Sequence, residues 1–93
     1  MTYTTSDFYC TQCGNKALML PRKKSQQREP GHLKKMFCIY CQKEHNCVEV
    51  RSIGTKYRYE DFLFEFQHQN FNQDGTRKMT YGELKTYIYN QKR

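Results

Sequence analysis

Four of the five cysteines in this 93-residue chain fall into two C-x-x-C pairs, Cys10–Cys13 and Cys38–Cys41. Each pair lets two sulfurs converge on one cation, and two pairs complete a tetrahedron of thiolates. The odd total of five argues against a disulfide framework, and a reducing cytosol favours metal over disulfide for such a pattern. Zinc is the expected ion. With four protein ligands it has no open position, so it is structural and not a Lewis acid. Twenty-four residues separate Cys13 from Cys38, more than in compact sites, and a long basic loop accounts for the excess. The competing readings are an incidental C-x-x-C, or His45 or Cys47 in place of one cysteine.

A second chemistry is carried by residues 22–35, where Arg22, Lys23, Lys24, Arg28, Lys34 and Lys35 face the single acid Glu29. Six cations interleaved with Ser25, Gln26 and Gln27 suit phosphate contacts. The bland alternative is a solvated linker. Tyr40, inside the second C-x-x-C, is a candidate to stack on a base, whereas Phe37 is expected to cover the thiolates as core. Asn70, Asn72, Asp74 and Gly75 imitate the first half of a calcium loop, but Lys78 and Tyr81 occupy its later ligand positions, so a plain turn is expected. His45-Asn46 beside C-x-x-C resembles a fragment of a His-Asn-His nuclease. No second metal-binding His or Asp stands at a suitable spacing from it. Neither a nucleophile elbow, a phosphate loop nor a paired-carboxylate motif is present, and the chain is read as non-enzymatic. Cys47 is left over as a free thiol, a small core residue against the C-terminal helices, or a spare ligand.

These groups need short strands to present them. Residues 1–9 read as a polar lead-in, with Phe8 and Tyr9 opening the ordered part. Cys10 to Asn15 forms a knuckle in which Gly14 supplies positive φ. Lys16–Leu20 reads as a strand stopped by Pro21, and residues 22–35 as a mobile basic loop. Leu33–Phe37 returns as a strand into the second knuckle. Residues 45–51 alternate as a third, with Asn46, Val48 and Val50 on one face and His45, Cys47, Glu49 and Arg51 on the other. Tyr57–Gln69 has Tyr59, Phe62, Leu63 and Phe66 at helical spacing. Thr80-x-x-Glu83 is a capping box opening a second helix, with Leu84, Tyr87 and Ile88 inward.

The totals set the frame. A chain of this size buries only about two-thirds of its unfolded surface, so an apolar core alone is marginal. Tryptophan is absent, while eight Tyr and six Phe supply bulk, nine of these rings lying between Tyr57 and Tyr89. The formal charge of +7 falls to about +5 once four thiolates bind a dication, and the balance still favours polyanions. With no run of eighteen apolar residues and no leader-like N-terminus, a cytoplasmic protein without membrane contact is expected.

Cys10-x-x-Cys13-Gly14 and Cys38-x-x-Cys41 resemble the paired knuckles of the zinc-ribbon family of transcription factors and polymerase subunits. The likeness covers roughly the first fifty residues. It implies a metal fold and no particular task, because ribbons bind DNA, RNA and proteins alike. Gln42 stands where the family usually has Gly. The combination of C-x-x-C-Gly, the REPGHLKK stretch and a short aromatic tail also looks like small uncharacterised bacteriophage proteins. The expectation is therefore an α+β protein: a zinc ribbon with basic loop over residues 1–52, and an aromatic helical segment over 53–93 packed on it. Its expected role is non-catalytic nucleic-acid binding, DNA or RNA, as in transcription regulation, without a small-molecule substrate. The rival is a phage-type inhibitor or adaptor docking on a host polymerase or nuclease.

Overall fold

In a computed structural model, residues 3–23, 31–51 and 57–91 are described. They form a four-stranded antiparallel sheet followed by two helices, an α+β arrangement. The strands are β1 (Tyr3–Cys10), β2 (Lys16–Lys23), β3 (Leu33–Cys38) and β4 (Lys43–Arg51), in spatial order β2-β1-β4-β3. Helices α1 (Tyr59–Gln67) and α2 (Tyr81–Gln91) follow. The sheet curls until its two edges, β2 and β3, touch.

Strand alternation then builds two cores, one on each face. Inside the curl lie Phe8, Cys10, Ala17, Cys38 and Cys47, with Leu20 and Met36 against them. On the outer face Val48 and Val50 meet Tyr57 and Phe62, flanked by Tyr9, Leu33, Phe66 and Phe71. The period-2 pattern of β4 stands as expected, but Cys47, Val48, Glu49 and Val50 are all buried because both faces are covered. Cys47 packs inside the curl, on the face opposite the helices.

Three strand expectations are corrected. The stretch read as a lead-in over residues 1–9 holds a strand from Tyr3 onward, since β1 starts there and lies in the middle of the sheet. Its inward position Ser6 is polar, so the apolar period is broken; the hydroxyl donates to the buried carboxylate of Glu49, which also faces His32 at 3.2 Å. Pro21 does not end β2, which runs on to Lys23. An edge strand leaves alternate amides unpaired, so proline fits there. The basic stretch 22–35 is not one loop either: Arg22 and Lys23 belong to β2, and Lys34 and Lys35 to β3. Lys24, Ser25, Gln26, Gln27, Arg28 and Glu29 lie outside the described residues, as do the side chains of Arg22 and Lys23.

Helix α1 buries Phe62, whose ring stacks on Tyr9 at 5.2 Å and on Phe66 at 5.8 Å. Asp61 accepts from the Arg58 amide at 2.7 Å and caps its start. Tyr59 is less inward than its spacing suggested, 43% exposed while its ring leans on Tyr9. The capping box of α2 is present: the Thr80 amide donates to Glu83 Oε1 at 2.9 Å, and the Glu83 amide to Thr80 Oγ1 at 3.2 Å. Of its expected inner face Leu84 is buried, Ile88 is half-buried and Tyr87 is 51% exposed.

Between the helices the Asp-Gly turn is confirmed, with the Gly75 amide donating to Asn72 O at 2.9 Å. Asp74 Oδ1 accepts from the Thr76 amide and hydroxyl at 3.0 and 2.7 Å, which holds the carboxyl below its usual range. This turn docks on β4. Gly75 has φ +86°, and a Cβ there would lie 2.7 Å from that of Asn46. Gly75→Ala is accordingly expected to destabilise by more than about 1 kcal/mol, lowering Tm by several degrees. Gly82→Ala, with open space around it on α2, is expected to raise stability by roughly 0.5–1 kcal/mol. Thermal melts of the two variants check both signs at once.

Candidate metal centre and the basic face beside it

Both knuckles sit at the same end of the sheet, because β1 and β3 end there while β2 and β4 begin there. Each is a tight turn closed by one backbone bond, Gly14 N–H to Cys10 O at 2.9 Å and Gln42 N–H to Cys38 O at 2.7 Å. The closing residue takes positive φ in each, +77° at Gly14 and +58° at Gln42. Gln42 thus adopts the conformation a glycine would favour, at a cost of roughly 1–2 kcal/mol. In the first knuckle the Gln12 amide points at Cys10 Sγ, 3.4 Å away, as a thiolate site requires.

The four sulfurs converge. Cys10 and Cys41 are 3.9 Å apart, Cys13 and Cys38 3.6 Å, and all four Sγ atoms lie within 4.8 Å of one another. A tetrahedron with metal–sulfur bonds of about 2.3 Å has edges of about 3.8 Å, so the cluster already has the dimensions of a metal site. A disulfide needs about 2.05 Å, and the five cysteines are free thiols. Cys10 and Cys38 are fully buried, Cys13 and Cys41 partly so. Among the described residues this is the group of side chains arranged to hold a metal ion, and neither His45 nor Cys47 belongs to it. Cys47 instead directs its thiol to His45 O at 3.7 Å.

The electrostatics of the bare thiols favour a cation. Burial pushes the Cys10 thiol up, and the Cys41 thiol is pushed up to about 12 by desolvation and by the neighbouring sulfurs. At Cys38 burial also opposes ionisation, but the amides of Cys41 and Tyr40 and two neighbouring thiols outweigh it and lower the value. Several thiolates this close together repel one another. A dication at the centre reverses that repulsion.

Of the six cations singled out in the sequence, the described side chains are those of Lys34 and Lys35. Lys34 and Lys35 are exposed on β3, and Lys43 is exposed at the start of β4, opposite Cys38. Tyr40 is 61% exposed. Phe37, expected as core, is 54% exposed, and Ile39 60%, because the sulfur cluster is covered from inside the curl by Phe8 and Met36, while Phe37 lies on the outer face of β3. Lys35 has one acidic neighbour, Glu44, at 4.0 Å, and both side chains are well exposed.

The buried polar network of the helical half was not anticipated. The Glu65 carboxylate is fully buried and accepts from Arg77 Nε at 2.7 Å, Arg77 Nη2 at 3.0 Å, Asn70 Nδ2 at 2.7 Å and the Tyr57 hydroxyl. The Glu65–Arg77 separation of twelve residues has no helical or strand period, so nothing local marks it.

No protein-family model, curated protein sequence or solved structure matches the chain. Among the described residues no helix is long and apolar enough to cross a membrane.

Proposed function

We propose that this chain is a zinc-ribbon module that binds nucleic acid without catalysis, the four cysteines holding one structural Zn²⁺. Cys10, Cys13, Cys38 and Cys41 supply thiolate sulfurs at tetrahedral spacing, the donor set that suits zinc. A closed shell of four protein ligands leaves the ion a role in shape alone. The observation that carries the binding role is the outer side of the second knuckle. There, exposed Lys35 shares the face of β3 that carries exposed Phe37, exposed Lys34 and Lys43 lie on the opposite face of the same hairpin, and Ile39 and Tyr40 are exposed in the turn between β3 and β4. Three large exposed side chains close together in the chain mark a surface for a ligand to cover, and the charge of about +5 that remains with zinc bound favours a polyanion. Arg22, Lys23, Lys24 and Arg28 add to the positive charge of the chain as a whole, and transcription regulation in the cytoplasm is one setting for such a module.

Affinity should fall with salt by about 0.7–0.9 in log K per phosphate contacted. Substituting Lys34, Lys35 and Lys43 together by Ala is expected to flatten the slope of log K against log salt by about two to three. Fluorescence anisotropy across a salt series measures it. A parent protein that binds neither DNA nor RNA at low salt overturns this reading.

A second reading, docking on a host protein as an inhibitor or adaptor, is favoured by one observation. Tyr59, Tyr87 and Tyr89 are 43–69% exposed, and α2 buries only Leu84 fully. Salt-insensitive binding that is lost in Tyr87→Ala and Tyr89→Ala distinguishes it.

A further inference from the structure

The chemistry of the second knuckle says more about its ligand than the charge does. Phe37 and Tyr40 stand on either side of the metal-site residue Cys38, 54% and 61% exposed, with Ile39 between them at 60%. Their backbone is held at three points: by the β3–β4 ladder, by the Gln42 N–H bond to Cys38 O, and by the sulfur cluster. The rings are therefore displayed on a stiff hairpin tip and lose little freedom when a ligand covers them.

Duplex nucleic acid hides the faces of its bases inside the stack. To this surface it offers phosphates and groove edges, which the lysines can use and the rings cannot. A single strand offers both phosphates and open base faces, and an aromatic side chain accepts any base by stacking. The cations lie on both sides of this hairpin: Lys35 shares the face of Phe37, while Lys34 and Lys43 share the face of Cys38, and their long side chains are exposed. The exposed Lys35–Glu44 pair gives way to a phosphate at little cost, since exposed ion pairs are weak.

We propose that the outer face of β3 at its knuckle end and the second knuckle form a binding site for single-stranded nucleic acid, in which Phe37 and Tyr40 stack on bases while Lys35, with Lys34 and Lys43 reaching round from the other face of the hairpin, contacts the phosphates. This rests on the nucleic-acid reading above and narrows it.

The test uses the full metal-loaded chain, with fluorescent single-stranded DNA and RNA oligonucleotides and the duplex of the same sequence, by anisotropy at low salt. The parent is expected to bind a single strand at least tenfold more tightly than duplex. Phe37→Ala and Tyr40→Ala are each expected to weaken single-strand binding by between about 5- and 150-fold, with duplex binding nearly unchanged. Tyr40→Phe keeps the stacking face and should stay within about twofold of the parent. Metal content and circular dichroism confirm that each variant is folded, and the single-strand to duplex ratio of the parent needs no variant at all. Equal affinity for both forms, or ring variants that bind like the parent, overturns the single-strand site and leaves nucleic-acid binding standing. Binding to neither form overturns both.

Discussion

Removing the metal, or one of its ligands by Cys38→Ser, is expected to unfold the four-stranded sheet. The inner core has little else to hold it. Its fully or nearly buried members are Phe8, Ala17 and three cysteines, of which Cys10 and Cys38 belong to the four-sulfur cluster. Burying one phenylalanine is worth on the order of 3 kcal/mol, and small side chains such as Ala and Cys add less. A structural zinc contributes roughly 10–16 kcal/mol of apparent binding free energy, which is folding free energy when the unfolded chain has no site. That term is as large as the whole stability of an ordinary small domain, about 5–15 kcal/mol, so its loss is enough to unfold one. The measurement is a chelator titration followed by far-ultraviolet circular dichroism, with elemental analysis giving one zinc per chain before chelation. Cys47→Ser is the control: it lies outside the four-sulfur cluster, so its zinc content should stay at one per chain. A chain that stays folded and cooperative with no bound metal contradicts the proposal.

Arg77→Ala is expected to destabilise the protein by about 3–5 kcal/mol. The Glu65 side chain is completely buried, and Arg77 brings its only cationic contact among the described ion pairs. The guanidinium meets both carboxylate oxygens and lies over the rings of Tyr57 and Phe71, 5.6 and 5.7 Å from their centroids. Burial works against the Arg77 charge, but the Glu65 carboxylate outweighs it and raises the guanidinium pKa, so the cation persists. Burial and the same carboxylate push the Tyr57 phenol up, which keeps its hydroxyl a donor. Without Arg77 the carboxylate is left with two neutral donors in a site closed to water. Such an uncompensated buried charge is costlier than the packing lost with it. Arg77→Lys keeps the charge but not the two-pronged contact and should fall between parent and Ala. Urea denaturation read by tyrosine fluorescence gives the values. A change below about 1 kcal/mol for Arg77→Ala means that the pair does not hold the helical half together.

Much of the molecule is legible along the chain. The two C-x-x-C spacings mark the sulfur cluster because each pair sits in one turn, and a turn is a property of adjacent residues. Thr80 and Glu83 announce the start of α2, since the capping bonds span three positions. Phe62 and Phe66 announce the inner side of α1, and the alternation of residues 45–51 announces β4. Each of these signals is short-range, repeating at the period of its own element.

What escaped was decided by residues far apart. Ser6 is an inward strand position only because Glu49, forty-three residues later, accepts its hydroxyl, so β1 cannot be told from a polar lead-in by its own composition. Pro21 is permitted in β2 because the strand lies at an edge of the sheet, and edge position belongs to the topology. Phe37 looks like core by residue type, yet the sheet curls the other way and leaves it in water. Glu65 and Arg77 each read as a solvated charge until the turn at residues 72–75 folds back and carries one into the other. Local spacing marks the sulfur cluster, β4 and both helices. Which polar groups are buried, and which rings are left to meet a partner, depends on how the sheet closes and where the helices land on it.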